Sequence, residues 1–319
     1  MRILITGITG FVGSHLAESY LADGQEVFGT YMYHHLDDEL ERLERIKDKV
    51  TLFDCDLRDR SSVMRVLYEV KPDIIHHLAA QSFVRASWDN PEFTIFNNIG
   101  AELNIFEVCR QLKLDPIIHI AGSSEEYGNV KLEELPIIEE TPLRPMSPYG
   151  VSKVTQDILA QQYFMSYGTK TVITRGFNHE GPRRGRSFVT SAFASQVAEI
   201  INKKQKPVIM VGNLSSQRDY TDIDDMICAY KLSVQKCTYG EPYNICTEKS
   251  HAIQEILDYF IAKSGIEIKV EQDPKRMRPS DLPVLVGNCS KFKNLTGWKP
   301  IVSFYEMLNK IFNYWLEKK

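Results

Sequence analysis

TGITGFVG, residues 6–13, follows the apolar run RILIT (residues 2–6) and opens the helical pattern GSHLAESYLADG (residues 13–24). Gly7, Gly10 and Gly13 are spaced G-x-x-G-x-x-G. Glycines let a backbone turn tightly and approach a pyrophosphate, whose charge sits at the helix N-terminus. A glycine triplet alone says little, but a strand before it and a helix after it make it a dinucleotide-binding loop. The plain alternative is a tight turn without a ligand.

Working outward, EVFGT (26–30), VTLFDCD (50–56), PDIIHHLAA (72–80) and PIIHIAG (116–122) read as strands, and SSVMRVLYEV (61–70) and about Pro91 to Leu112 as helices. LDDELERLERIKDK (36–49) is charged enough to be an exposed helix. This alternation implies right-handed βαβ units. Strands buried on both faces read as continuous apolar runs, as these do. The expected fold is α/β, a Rossmann-like doubly wound parallel sheet with a smaller C-terminal substrate-binding region. Its dinucleotide-binding part spans residues 1–175, rejoined by about 215–246. The substrate part takes 176–214 and 247–319, where turn-rich sequence such as GPRRGRS (181–187) appears.

A net charge of -4 over 319 residues offers no concentrated basic surface, so nucleic acid is not expected. Six scattered cysteines form no C-x-x-C, which argues against a zinc site or a disulfide framework and for a reducing, cytoplasmic setting. No metal is expected. No signal-peptide pattern and no run of about 18 apolar residues is present, so no membrane span is expected.

The end of the second strand normally reports the cofactor: an acid binds a ribose 2′-hydroxyl, whereas an Arg accommodates a 2′-phosphate. GTYMYHH (29–35) has neither, since Thr30, Tyr31 and Met32 are uncharged. His34 and His35 could meet a phosphate or merely be solvated. SPYGVSK (147–153) places Tyr149 and Lys153 four residues apart, on one helical face. A nearby ammonium favours the phenolate and makes the tyrosine a usable base for an alcohol.

Taken together, TGITGFVG, HHLAA, SSEEYG, SPYGVSK and RDYTDIDD resemble, in order, the extended short-chain dehydrogenases/reductases that act on nucleotide sugars. FNHEGPRRG (177–185) and MRPSDLP (277–283) narrow the likeness to GDP-mannose 4,6-dehydratases and the neighbouring GDP-4-keto-6-deoxymannose reductases. The resemblance implies that Ser123 bonds the sugar 4-hydroxyl, Glu125 is the base for the C5 proton, and Tyr149 and Lys153 run the oxidation. Glu126 is expected to be structural or solvated. The cofactor would lie on Gly7, Gly10, Phe11, Val12, Gly13, Asp56, Leu57, Leu78, Ala79 and Ala80, besides Tyr149 and Lys153. Arg183 and Arg184 match a pair that can reach the cofactor phosphate of a neighbouring subunit. They point, with the missing acid, to NADP, NAD remaining open. Substrate would contact Ser124, Asn178, Val189, Arg218, Arg278 and Asp281. Ser191 and Ala192 stand where dehydratases carry a basic residue for the nucleotide, and Gly181 where they often carry Ser.

Three functions remain open at this level: a dehydratase, a reductase of the 4-keto-6-deoxy product, and a dinucleotide-binding sensor without catalysis. The implied assembly is a homodimer, or a tetramer built from it. Its contact would use the helix from Tyr149, through Ile158, Leu159, Gln162 and Tyr163, and that from Pro91 to Leu112. Those four side chains could equally face the core of one subunit.

Overall fold

Seven parallel strands organise most of the chain, seen in a computed structural model that describes residues 1–32, 37–274 and 283–318. In chain order they and their helices are β1 (Arg2–Thr6), α1 (Phe11–Ala22), β2 (Glu26–Tyr31), β3 (Thr51–Asp54), α2 (Arg60–Val70), β4 (Ile74–His77), α3 (Val84–Asp89), α4 (Pro91–Gln111), β5 (Ile117–Ala121), α5 (Pro148–Tyr167) and β6 (Thr171–Gly176). There follow β7 (Asn178–Glu180), α6 (Val189–Ile201), β8 (Val208–Val211), β9 (Gln217–Asp222), α7 (Ile223–Lys236), β10 (Pro242–Ile245), β11 (Ser250–Ala252), α8 (Ile253–Ser264), β12 (Lys269–Gln272), β13 (Val284–Leu285), α9 (Ser290–Thr296) and α10 (Phe304–Glu317).

The large sheet runs β10-β6-β5-β4-β1-β2-β3, every pair parallel. Its order reverses between β1 and β4, and ligands of such sheets bind at that switch point. Val63, Ile105 and Ala160 from α2, α4 and α5 pack on one face, and Leu16 and Ile227 from α1 and α7 on the other. Each Val, Leu or Ile side chain so buried contributes about 1.5–3 kcal/mol. The fold is therefore the expected doubly wound α/β sheet. A second core joins α6, α8 and α10 through Phe193, Phe260 and Ile311, beside the small sheets β11-β9-β13 and β12-β8. β10 returns from this region to pair with β6.

Residues 37–49 differ from the exposed helix expected of them. They form two 3₁₀ segments, Asp37–Leu43 and Lys47–Lys49, and Leu43 and Ile46 are buried with the α1 core.

The centre of the sheet carries an internal polar chain. Tyr20 Oη lies 2.8 Å from His76 Nε2, His76 Nδ1 3.0 Å from His119 Nδ1, and His119 Nε2 2.8 Å from Thr174 Oγ1. Among the described residues, no helix is long and apolar enough to cross a membrane.

Candidate active site

The glycine loop closes on the switch point. Gly7 has φ +67°, and a Cβ there would stand 3.0 Å from Ala79 Cα. A Cβ on Gly13 would stand 2.4 Å from Gly7 O, so the helix can pack this closely only with glycine. α1 begins without a side-chain cap, which leaves first-turn N–H groups to meet an anion. Thr6 Oγ1 lies 2.9 Å from His77 Nδ1 and accepts from Leu78 N and Ala79 N at 3.2 Å each, tying β1 to β4.

A cleft of about 520 Å³ opens there. Gly7, Gly10, Phe11, Val12 and Gly13 form one wall, and Asp56, Leu57, Leu78, Ala79 and Ala80 another. Ser123, Ser124, Glu125, Tyr149, Lys153 and Asn178 line its far end. Residues from six separate segments are thus brought together. The tight glycine cradle and the uncapped helix fit a dinucleotide pyrophosphate.

The far end is built from two caps. Ser147 Oγ accepts from Gly150 N at 3.0 Å and starts α5, with Pro148 in the first turn. This sets Tyr149 and Lys153 at the mouth of α5. Ser123 caps a 3₁₀ turn, Ser124–Glu126, and its Oγ accepts from Glu125 N at 3.2 Å. Glu126 Oε1 accepts from Ser123 N at 2.6 Å, and Oε2 lies 3.5 Å from Arg175 Nε. Of the two expectations for Glu126 the solvated one fails, because the side chain is wholly buried.

Lys153 Nζ donates to Ala121 O at 2.8 Å and stands 5.9 Å from the Tyr149 ring centre. Tyr149 departs from the expected lowered pKa. Burial lifts its phenol above the usual range, opposed by a hydrogen bond with Ser123, while Glu125 and Glu126 add to the rise. Burial likewise lowers the Lys153 ammonium, against the pull of Glu102 and Glu126.

Several expected contacts lie elsewhere. Arg183 has φ 71° and binds both oxygens of Glu18, at 2.8 and 2.7 Å, so its fork is engaged away from the cleft. Arg184 does line the cleft, its guanidinium 3.6 Å from the Phe188 ring centre and 3.7 Å from Glu180. Val189 packs against the second core rather than lining the cleft. Arg218 sits buried near the start of β9, outside the cleft lining, and donates to Gln217 O at 2.8 Å. Ser191 is wholly buried. His34, His35, Arg278 and Asp281 lie outside the described residues.

The sequence reading missed His179, whose ring lies parallel to Phe11 at 6.3 Å and whose burial holds its pKa at about 4. It also missed Gln81, Ser82 and Tyr230 in the lining. Adjacency to Asn178 and to HHLAA was the available signal for the first three. Tyr230 comes from α7, with no motif near it.

Comparison with known proteins follows the same lines. A family model described as GDP-mannose 4,6 dehydratase matches residues 4–311. GDP-mannose 4,6 dehydratase 1 of Arabidopsis thaliana is 34% identical over 328 residues, 98% of this chain and 89% of that one. GDP-6-deoxy-D-mannose reductase of Pseudomonas aeruginosa is 29% identical over 314 residues, 98% and 97% of the two chains. The solved UDP-glucose 4-epimerase of Thermus thermophilus, in complex with NAD, superposes with a TM-score of 0.88 at 30% identity, covering 99% of each chain. With the glycine cradle, the Tyr149–Lys153 helix and the capped Ser123 turn in one cleft, the chain belongs to the GDP-mannose 4,6 dehydratase family of extended short-chain dehydrogenases/reductases.

Proposed function

We propose that this chain is a nucleotide-sugar 4,6-dehydratase acting on GDP-mannose. The observation that carries this reading is Glu125 in the same cleft as Ser123, Tyr149 and Lys153. A bound nicotinamide dinucleotide supplies the acceptor for the C4 hydride and its return to C6. Ser123 and Tyr149 hold the sugar 4-hydroxyl, and Tyr149 takes its proton. Lys153, one helical turn on, supplies the positive charge a phenolate needs. Once C4 is a ketone the C5 hydrogen is acidic. Glu125 removes it and then protonates the departing C6 hydroxyl, one carboxyl serving as base and then as acid. Asn178 and Ser124 face the sugar diphosphate from the same end.

The dinucleotide is NADP in this reading. Thr30, Tyr31 and Met32 line the cleft without an acid to bind a 2′-hydroxyl, and Arg184 brings a cation to it. The chain works as a homodimer. Phe96 and Leu103 on α4 and Val151, Ile158 and Met165 on α5 are exposed apolar residues recurring every seven positions, as a helix–helix seam requires. Six unpaired cysteines suit the cytoplasm.

A reductase of the 4-keto-6-deoxy product is the second reading. The Pseudomonas aeruginosa relative favours it. Incubation with GDP-mannose and mass analysis of the product decides between them. A loss of one water supports the dehydratase. Unchanged GDP-mannose, with reduction of the 4-keto sugar by NADPH, overturns it.

A further inference from the structure

Behind Lys153, α4 and α5 enclose a polar seam that the chemistry above does not use. Glu102 on α4, Gln156 and Asp157 on α5, and Glu126 are each wholly buried. Arg175 Nε donates to Asp157 Oδ2 at 2.7 Å and lies 3.5 Å from Glu126 Oε2. Gln161 Nε2 also donates to Asp157, and Ser123 N to Glu126. Glu102 is different. Among the described residues, neither of its carboxyl oxygens receives a hydrogen bond.

The Gln156 amide faces this carboxyl. Its Nε2 donates to Asn98 O at 3.0 Å, which leaves Oε1 turned away from that carbonyl and without a donor. Reversing the amide would set two acceptors against each other at Asn98. A carboxylate at Glu102 would therefore be wholly buried with no donor in hydrogen-bond geometry and only the Gln156 amide nearby, a costly state. A carboxylic acid donates its O–H to Gln156 Oε1 and satisfies both groups. The charge balance agrees. Three carboxyls, Glu102, Glu126 and Asp157, face two cations, Lys153 and Arg175, so one negative charge is in surplus and one added proton balances the cluster. Asp157 and Glu126 Oε1 already accept hydrogen bonds from N–H donors, and Glu126 Oε2 has Arg175 at 3.5 Å. Burial, helped by the neighbouring Asp157 and Glu126, raises the Glu102 pKa, against the opposing pull of Lys153 and the Gln156 amide.

We propose that Glu102 holds this balancing proton as a neutral acid and so leaves the Lys153 ammonium to act on Tyr149. Glu102 is a positioning residue, since it acts through Lys153. The groups that face it are Lys153 and Asp157 from α5 and Glu126 from the turn after β5. Arg175 of β6 reaches the cluster through Asp157 and Glu126. An ionised Glu102 would be a rival anion for Lys153 and would weaken Tyr149 as a base. The link to Tyr149 rests on the function proposed above; the protonation state does not.

Infrared difference spectroscopy of the intact protein at neutral pH, wild type minus Glu102→Gln, tests the protonation. The expected result is a protonated-carboxyl C=O band that is lost in the variant and moves in heavy water. Gln156→Leu should move the same band to higher frequency, and this serves if Glu102→Gln does not fold. Loss of carboxylate bands instead, with no protonated-carboxyl band affected by either variant, overturns the proposal. The link to Lys153 is read from the pH profile of kcat/KM with GDP-mannose, where Glu102→Gln should shift the alkaline limb to higher pH. Superimposable limbs would refute that link. A wild type inactive on GDP-mannose would instead refute the dehydratase reading, while the infrared result still decides the state of Glu102.

Discussion

Glu126 accepts a 2.6 Å hydrogen bond from the backbone N–H of Ser123, and that bond divides the work between two adjacent glutamates. Glu126 is turned inward, wholly buried beside Arg175. It fixes the turn from which Ser123 and Glu125 face the cleft. A single helical-type turn thus presents a hydroxyl and a carboxyl to one cleft while Glu126 holds it to the protein.

Tyr149→Phe removes only the phenol oxygen from a nearly buried ring. Turnover should fall about 10²- to 10⁴-fold, the usual loss when a general base is removed. Thermal unfolding and dinucleotide binding should stay close to wild type. Near-normal turnover in this variant would remove Tyr149 from the proposed role.

The dinucleotide carried by the protein is expected to be NADP. Denaturing purified protein and separating the released nucleotide reads this directly. Recovery of NAD alone, with tighter binding of NAD on titration, would reverse the assignment.

Ile158 and Met165 are 54% and 74% exposed on α5, on the face proposed to meet a second copy. Ile158→Asp should convert a dimer to a monomer in sedimentation at micromolar concentration, because it buries a charge in an apolar seam. A wild type that sediments as a monomer would contradict the dimer.

His76 and His77 are buried, and burial lowers the pKa of each from about 6.5 to about 3. Between those values the unfolded chain binds protons that the folded chain does not. Stability therefore falls as pH drops below about 6.5, by up to about 1.4 kcal/mol per pH unit per histidine. Above 6.5 neither histidine changes stability. Urea unfolding between pH 7.5 and 5 should show the decline, and His77→Asn should flatten it. An unchanged slope in that variant would show that His77 is not one of the groups responsible.

Much of the sheet was legible because strands buried on both faces leave near-continuous apolar runs, as RILIT does, with IIHH and IIHIA interrupted only by buried histidines. The glycine loop and the Tyr149–Lys153 pair were legible because their chemistry is local, within one loop or one turn. Long-range pairing was not. Arg183 reads as a ligand for the cofactor phosphate of a neighbouring subunit, and within its own chain it pairs with Glu18, 165 residues away. Tyr163 reads as part of a contact stripe with Ile158. In the fold it is 5% exposed and stacks on Phe106 at 4.6 Å, so one helix serves the core and the surface from neighbouring turns. The charges of residues 36–49 hid Leu43 and Ile46, whose burial against α1 decides that segment's path.

The central claim is that Glu125 takes the C5 proton after C4 has been oxidised. Glu125→Gln keeps the shape of the side chain and cannot accept that proton. The direct test is a single-turnover absorbance trace at about 340 nm with GDP-mannose, where reduced nicotinamide absorbs, together with deuterium uptake at C5 from heavy water. The account predicts that the variant accumulates reduced dinucleotide and 4-keto hexose with no C5 exchange, whereas wild type completes the elimination. A wild type that forms no 4-keto-6-deoxy product, with a variant that still reduces that ketone at the normal rate, would contradict it and make the protein a reductase.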